Sequence, residues 1–435
     1  MLLSYDFDNL LARTLGSFGV SDEEFFEFAS KRQSPISLLL ASKKSFPLGW
    51  VELEKRIEDI KIINRLTSTL SDYDLLVTIG MGGSSLGTRA IVSAFCEQVG
   101  RRAFKKNEKI FLLLDTIEDF LIEEVLEKIN GKRVILNPVS KSGTTLECLA
   151  NFFLLLERIP EHRRAVVVTT TFGEGPLARF SEQMNYPLLC IPADIGGRFS
   201  ALTSVAFFPL AFLGINVQAL LEGALEAKGT LLRDDFFENP SLRLSALTIL
   251  LYQKHGINEL VLMPYSLRLY DFTYWWSQLV AESVGKAVGE GPLARVEGLT
   301  PISALGPADQ HSLLQLILDG PRNKICGFIK VEEEVLSRNP IVQVPKSFTE
   351  HRYLIRKSLG SIRHAQLNAT RSSLVKKQVP NYLISFPRLT EECVGEFVFF
   401  FELTVTMMGL FLGINPFDQP AVESIKKLAQ EELSS

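Results

Sequence analysis

The sequence predicts an α/β protein. Two successive units, each a mainly parallel sheet wound on both faces by helices, stand between a helical N-terminal segment and a helical C-terminal one. Short, continuous apolar runs alternate with helix-length segments, the pattern of strands buried on both faces of a parallel sheet. The chain also has 435 residues, more than one ordinary core holds. With 46% apolar and 22% charged residues, its composition is that of a folded protein.

Taken in order, residues 1–70 read as helical and include the amphipathic stretch LEKRIEDIKIINRLTSTL. A first α/β unit, 71–220, carries apolar runs at 74–80, 109–115, 132–140, 165–170 and 187–193. The second, 221–388, carries them at 259–266, 301–306, 324–331 and 381–387, with helical stretches at 268–286 and 309–318. Residues 389–435 read as a long apolar helix, the turn GINPFDQP and a polar helix.

Composition excludes several functions. Net charge is −4 without a basic stripe, so nucleic acid is not an expected partner. Five cysteines without a CxxC pair point to reduced thiols and a cytoplasmic protein rather than a disulfide scaffold or a zinc site. Asp6 and Asp8 interrupt what a signal peptide would need. The stretch EFVFFFELTVTMMGLFLGI, 396–414, has Glu402 near its centre and reads as a core helix, not a membrane span.

The chemistry concentrates after the strands, where open parallel sheets bind ligands. Residues 137–147, NPVSKSGTTLE, put Lys141 among Ser140, Ser142, Thr144 and Thr145 at a helix start. Ser142 or Thr144 as N-cap with Glu147 would make a capping box, and a helix N-terminus with a lysine suits a phosphate. The cluster IGMGGSSLG, with Gly83 and Ser84, reads as a second phosphate loop, a structural turn or a nucleotide site. Ser85 stands where a dinucleotide fingerprint wants glycine or alanine. Arg198 follows Gly196-Gly197, as a surface residue or one facing an anion. Gln278 and Glu282 share a helix face amid Trp275, Trp276, Leu279 and Val280, a setting that would raise the carboxyl pKa and suit a base. His311 opens a helix after 301–306, and Gln419 and Lys426 lie near the C-terminus; each of these alone is as readily structural.

In order, IGMGGSSLG, SKSGTTLE, GGRFSALT, WWSQLVAESVGK, DQHSLLQLILDGP and GINPFDQPAVESIK resemble the motifs of the glucose-6-phosphate isomerase (phosphoglucose isomerase) family. They span 79–426. The resemblance implies two sugar-isomerase-type (SIS) domains and a homodimer whose active sites draw on both subunits. It places Ser84, Ser140, Lys141, Ser142 and Thr145 on phosphate, with Gly83 beside them, and Gln278 and Gln419 on the sugar. It makes Glu282 the general base, His311 with Lys426 the ring-opening pair, and Arg198 the residue that stabilises the enediolate. Neither metal nor cofactor is implied. Cys148 stands in place of a common threonine, Ala421 in place of a glycine, and the chain is shorter than the larger eukaryotic members. Rival readings are a non-catalytic sugar-phosphate sensor, which would not need Glu282, His311 and Lys426 together, an isomerase that also takes mannose 6-phosphate, and a nicotinamide-dependent dehydrogenase.

Overall fold

The computed structural model describes residues 1–173, 175–288, 295–333 and 340–434, without the side chains of Val288, Glu423, Ser424, Lys426, Lys427 and Gln430. The N-terminal segment departs from expectation at its start. Residues 4–6 form a strand, β1 (Ser4–Asp6), paired antiparallel with the last strand of the chain. The Glu396 carboxylate holds it there, accepting the N–H of Leu2 at 2.6 Å and of Leu3 at 3.2 Å and the Tyr5 hydroxyl at 3.0 Å. Three residues are too few to show a period, and the waiting sheet edge makes the strand. Helices follow at Asp22–Ser30, opened by a Ser21–Glu24 capping box, and at Arg56–Thr69.

The first sheet contains β2 (Leu75–Ile79), β3 (Glu97–Gln98), β4 (Ala103–Lys106), β5 (Lys109–Leu114), β6 (Val134–Pro138) and β7 (Arg164–Val166). Its order is β3-β4-β5-β2-β6-β7, with β5, β2, β6 and β7 parallel and the short polar pair β3–β4 antiparallel at one edge. The expected strand at 165–170 breaks at Val167. Its second half, β8 (Val168–Thr170), turns away to pair with β9 (Leu188–Cys190).

In the second half, β10 (Glu259–Pro264) leads to the helix Asp271–Val284 and then to a hairpin, β11 (Lys286–Val288) with β12 (Arg295–Glu297). Next come β13 (Thr300–Ser303), β14 (Lys324–Glu333) and β15 (Asn381–Arg388), giving the sheet β1-β15-β14-β10-β13, parallel apart from β1. The expected helix at 309–318 is a 3-10 turn, Ala308–His311, followed by a short helix, Leu314–Asp319. A helix without a clear apolar stripe, Leu359–Lys376, joins β14 to β15.

The helix Glu391–Phe411 is long and apolar enough to cross a membrane, and 89% of that window is buried inside the fold. The helices Val217–Leu231, Pro240–His255 and Asp271–Val284 pack against it. Its crossing with the first of these needs glycine. A Cβ at Gly395 would stand 1.8 Å from the Leu220 carbonyl oxygen, which no side chain permits. Trp50, Phe199, Trp276, Phe399 and Phe401 belong to one apolar core around this helix, each such ring contributing about 1.5–3 kcal/mol by burial.

Candidate active site

Strands β2 and β6 are parallel neighbours with Ile79 opposite Pro138. The loops that follow them therefore leave the same carboxyl end of the sheet side by side, where a ligand belongs. A buried network forms the floor. The Asn137 amide donates to the Val167 carbonyl at 2.7 Å and to Thr169 Oγ1 at 2.9 Å, and Thr78 Oγ1 donates to Asn137 Oδ1 at 3.3 Å.

Above it, Ser140 Oγ accepts the Gly143 N–H at 3.1 Å and lies 2.8 Å from Thr145 Oγ1. Ser142 Oγ lies 2.8 Å from Thr144 Oγ1. The expected capping box is absent. Thr145 is the N-cap of the helix Leu146–Arg158 and makes no side-chain cap bond; its hydroxyl faces Ser140 instead. First-turn N–H groups without a hydroxyl cap are what an anion would take up. Lys141 Nζ donates to the Ala193 carbonyl at 2.7 Å, tying this loop to the segment that leads to Arg198. Cys148 is buried below, its thiol donating to the Ile79 carbonyl at 3.1 Å and pushed up by burial to about 12. It fills space and is not a nucleophile.

The first loop meets the arginine turn without a gap. A Cβ at Gly83 would lie 2.2 Å from the Gly197 carbonyl, so only glycine admits this approach. Ser200 Oγ closes it, donating to the Gly83 carbonyl at 2.9 Å. Ser84, half-buried, completes the 3-10 turn Gly82–Ser84 at the seam.

Arg198 is not a surface residue. It is 3% exposed, and its guanidinium donates to Ser283 Oγ at 2.8 Å, Glu282 Oε2 at 3.0 Å, Gln419 Oε1 at 3.2 Å, the Pro416 carbonyl at 2.5 Å and the Asp418 carbonyl at 3.2 Å. Burial pulls this group down from its ordinary pKa, and Glu282 pulls it back up. Gln278 Nε2 donates to Glu282 Oε1 at 2.9 Å. The carboxylate of Glu282 is thus gripped on both oxygens. Its setting is also not the apolar one expected, because the side chain is 30% exposed and ion-paired: the neighbouring tryptophans turn into the core at 1% and 2% exposure.

The turn that brings Gln419 supports itself. Asn415 Oδ1 accepts the Phe417 N–H at 3.0 Å, an Asx turn, and Asn415 Nδ2 donates to Asp418 Oδ2 at 2.8 Å. Phe417 packs between Phe46 and Phe199, with ring centroids at 5.1 and 5.6 Å. A cavity of about 760 Å³ opens beside Glu282, lined also by Lys286, Asp418 and Gln419.

His311 stands apart. It is exposed on its 3-10 turn, and among the described residues its ring makes no hydrogen bond to Glu282, Arg198 or any other group. Its neighbour Gln310 fixes the turn by donating to Tyr265 Oη and Thr370 Oγ1, both at 2.6 Å. Lys426 is on the last helix, Glu423–Ser434, and its side chain lies outside the described residues. Among the described residues, no three His, Cys, Asp or Glu side chains gather as a metal site would require.

A family model described as phosphoglucose isomerase matches residues 52–435. The chain belongs to the phosphoglucose isomerase family. A glucose-6-phosphate isomerase of Carboxydothermus hydrogenoformans is 32% identical, over 98% of this chain and 94% of that one. The crystal structure of a hypothetical protein from Thermus thermophilus matches with a TM-score of 0.86 at 31% identity, each chain covered to 100%. That of a glucose-6-phosphate isomerase from Chlamydia trachomatis shares the fold, with a TM-score of 0.75 at 24% identity over 87% of this chain and 73% of that one. Beyond the residues to which the resemblance gave a role, the structure adds Ser283, Lys286 and the carbonyls of Pro416 and Asp418 to the site. Ser283 and Lys286 lie inside the stretch AESVGK, whose spacing puts both near Glu282. Backbone carbonyls leave no mark in a sequence.

Proposed function

We propose that this chain, an aldose–ketose isomerase by family, interconverts glucose 6-phosphate and fructose 6-phosphate with Glu282 as its base. The observation that carries the reading is the Gln278–Glu282–Arg198 cluster, a carboxylate fixed on both oxygens at the edge of a cavity, with Gln419 on the same guanidinium. In this reading the hydroxyl-rich loops, with Ser84, Ser140, Lys141, Ser142 and Thr145, bind the phosphate and orient the sugar carbons several bonds away. Glu282 removes the C2 proton of the open aldose, leaving a cis-enediolate, and returns it to C1. The five donor bonds of Arg198 are all made within the protein, so it acts on the enediolate through a preorganised charge rather than through a spare N–H.

His311 and Lys426 move the proton between ring oxygen and O1 in this scheme. His311 is exposed and outside the bonding network of Glu282, which supports a homodimer in which each site takes this histidine from the second copy. The division at 71–220 and 221–388 and a cytoplasmic location belong to the same proposal, the latter supported by five free cysteines.

The test is a coupled assay for glucose 6-phosphate formed from fructose 6-phosphate, with wild type and Glu282→Gln. Turnover should fall by roughly 10²–10⁴ or more in the variant, the scale of a positioned acid/base, while sugar-phosphate binding persists. Equal rates would remove Glu282 from the base role.

A further inference from the structure

The C-terminal end of the helix Asp271–Val284 is held by a lysine that the scheme above does not use. The last carbonyls of a helix lack partners within it. Lys286, the first residue of β11, turns back and donates from Nζ to the carbonyl of Glu282 at 2.5 Å. The same Nζ donates to the carbonyl of Asp418 and lies 3.4 Å from Asp418 Oδ1. Two donors are thus on carbonyls and the third faces a carboxylate, which leaves none for a substrate.

The position is an unfavourable one for a cation. The side chain is 9% exposed, and burial and the charge of Arg198 both push the ammonium below its ordinary range, opposed by Asp418 and Glu282. Among the described residues, those three are the charged groups that face it. Glu297 is opposite Lys286 in the hairpin register, but its carboxylate is engaged by Arg295 at 2.9 Å and by the Tyr252 hydroxyl at 2.7 Å. The Asp418 carbonyl also accepts from Arg198. Both cations therefore grip the same point of the Asn415–Gln419 turn.

We infer that Lys286 is a positioning residue for the isomerisation: it joins the carboxyl end of the Glu282 helix to the Pro416–Gln419 turn and so sets where the Glu282 carboxylate stands against Arg198 and Gln419. The inference rests on Glu282 being the base. Without Lys286, the Glu282 carbonyl and Asp418 Oδ1 lose this donor, the Asp418 carbonyl keeps only Arg198 of the two cations, and the turn is tied to the helix through Arg198 alone among the described residues.

Wild type, Lys286→Met and Lys286→Arg are compared by steady-state kinetics with fructose 6-phosphate across pH, by the inhibition constant of inorganic phosphate, and by thermal melting. Lys286→Met should lose roughly 10- to 100-fold in kcat, the scale of a misplacement near 1 Å, with the phosphate inhibition constant unchanged. Its acid limb of kcat should move to higher pH, because a positive charge facing Glu282 is gone. Lys286→Arg keeps the charge and the reach to both carbonyls, so it should recover part of kcat and keep the limb in place. A purely structural role would lower melting temperature, kcat and phosphate affinity together in both variants with the limb fixed, and that result overturns the inference. So does a wild-type kcat in Lys286→Met. If Lys286→Met does not fold, the limb and kcat of Lys286→Gln decide in its place. No turnover in the wild type would instead overturn the isomerase reading itself.

Discussion

Two buried ionisable side chains are treated in opposite ways. Arg198 is 3% exposed and is ringed by five acceptors drawn from residues 282–283 and 416–419. Glu402, in the middle of the helix Glu391–Phe411, is 0% exposed, and among the described residues neither of its oxygens has a hydrogen-bond partner. Moving an ion out of water costs several kcal/mol even after relaxation. At Arg198 the acceptors offset that cost and the charge persists. At Glu402 none is in place, and burial drives the carboxyl well above its ordinary value, favouring the neutral form. The difference locates function: charge is preserved where two distant segments converge on it, and given up where the surroundings only pack.

Breaking the compensated region should have the largest effect. Arg198→Lys keeps the charge but cannot reproduce a planar fork that reaches five acceptors. Turnover should fall roughly 10²–10³-fold, as when a preorganised donor is lost, with a smaller change in KM. Steady-state kinetics beside a melting curve check this. A kcat within a few-fold of wild type would mean that a point charge suffices and the ring of acceptors serves only stability.

Lys141 lies between the two extremes, a partly exposed cation on a loop, tied through the Ala193 carbonyl to the neighbouring segment. Its expected role is affinity. Lys141→Ala should weaken sugar-phosphate binding by roughly ten- to a hundred-fold, the loss of one charge-assisted bond of about 1.5–3 kcal/mol, and leave kcat at saturation less affected. Calorimetric titration with fructose 6-phosphate measures it, and unchanged affinity would take Lys141 off the phosphate.

The contrast also explains what the sequence discloses. The strand-end loops are local. Their apolar run, hydroxyls and lysine lie within about a dozen residues, so position beyond a parallel strand and anion chemistry can both be read directly. The Arg198 cluster is not local, since its bonds cross 84, 85, 218, 220 and 221 positions of sequence. From the residues alone Arg198 remained ambiguous, and only the likeness of six ordered motifs named its role. Lys286, Pro416 and Asp418 went unassigned because they work through backbone carbonyls. In the fold, β1, β3 and β4 were illegible for a related reason: they are two to four residues long and owe their existence to a neighbouring edge. The Ser142/Thr144 capping box failed because the helix starts later than it requires: Thr145 is the N-cap, and its hydroxyl lies against Ser140. Glu402 was legible as a charge interrupting an apolar stretch, but not as one without a partner.

The uncompensated region gives the smallest effect and the cleanest sign. A carboxyl whose folded pKa is raised above the ordinary 4.5 keeps its proton in the native state after the unfolded chain has released it. Above pH 4.5 the unfolded state therefore binds fewer protons than the native one, and stability falls as pH rises until the folded carboxyl titrates, by at most roughly 1.4 kcal/mol per pH unit. Glu402→Gln removes that titration and keeps a neutral side chain of the same length and shape. Near pH 4.5 the two proteins should melt within about a degree or two of each other, since each buries an unsatisfied neutral polar group. Above about pH 5 the variant should gain on the wild type, its advantage widening with pH until the folded carboxyl titrates. Melting curves of both proteins at half-unit pH intervals test this. A difference independent of pH would mean that Glu402 ionises as readily when folded as when unfolded, and the contrast with Arg198 would then be one of hydrogen bonds alone and not of charge.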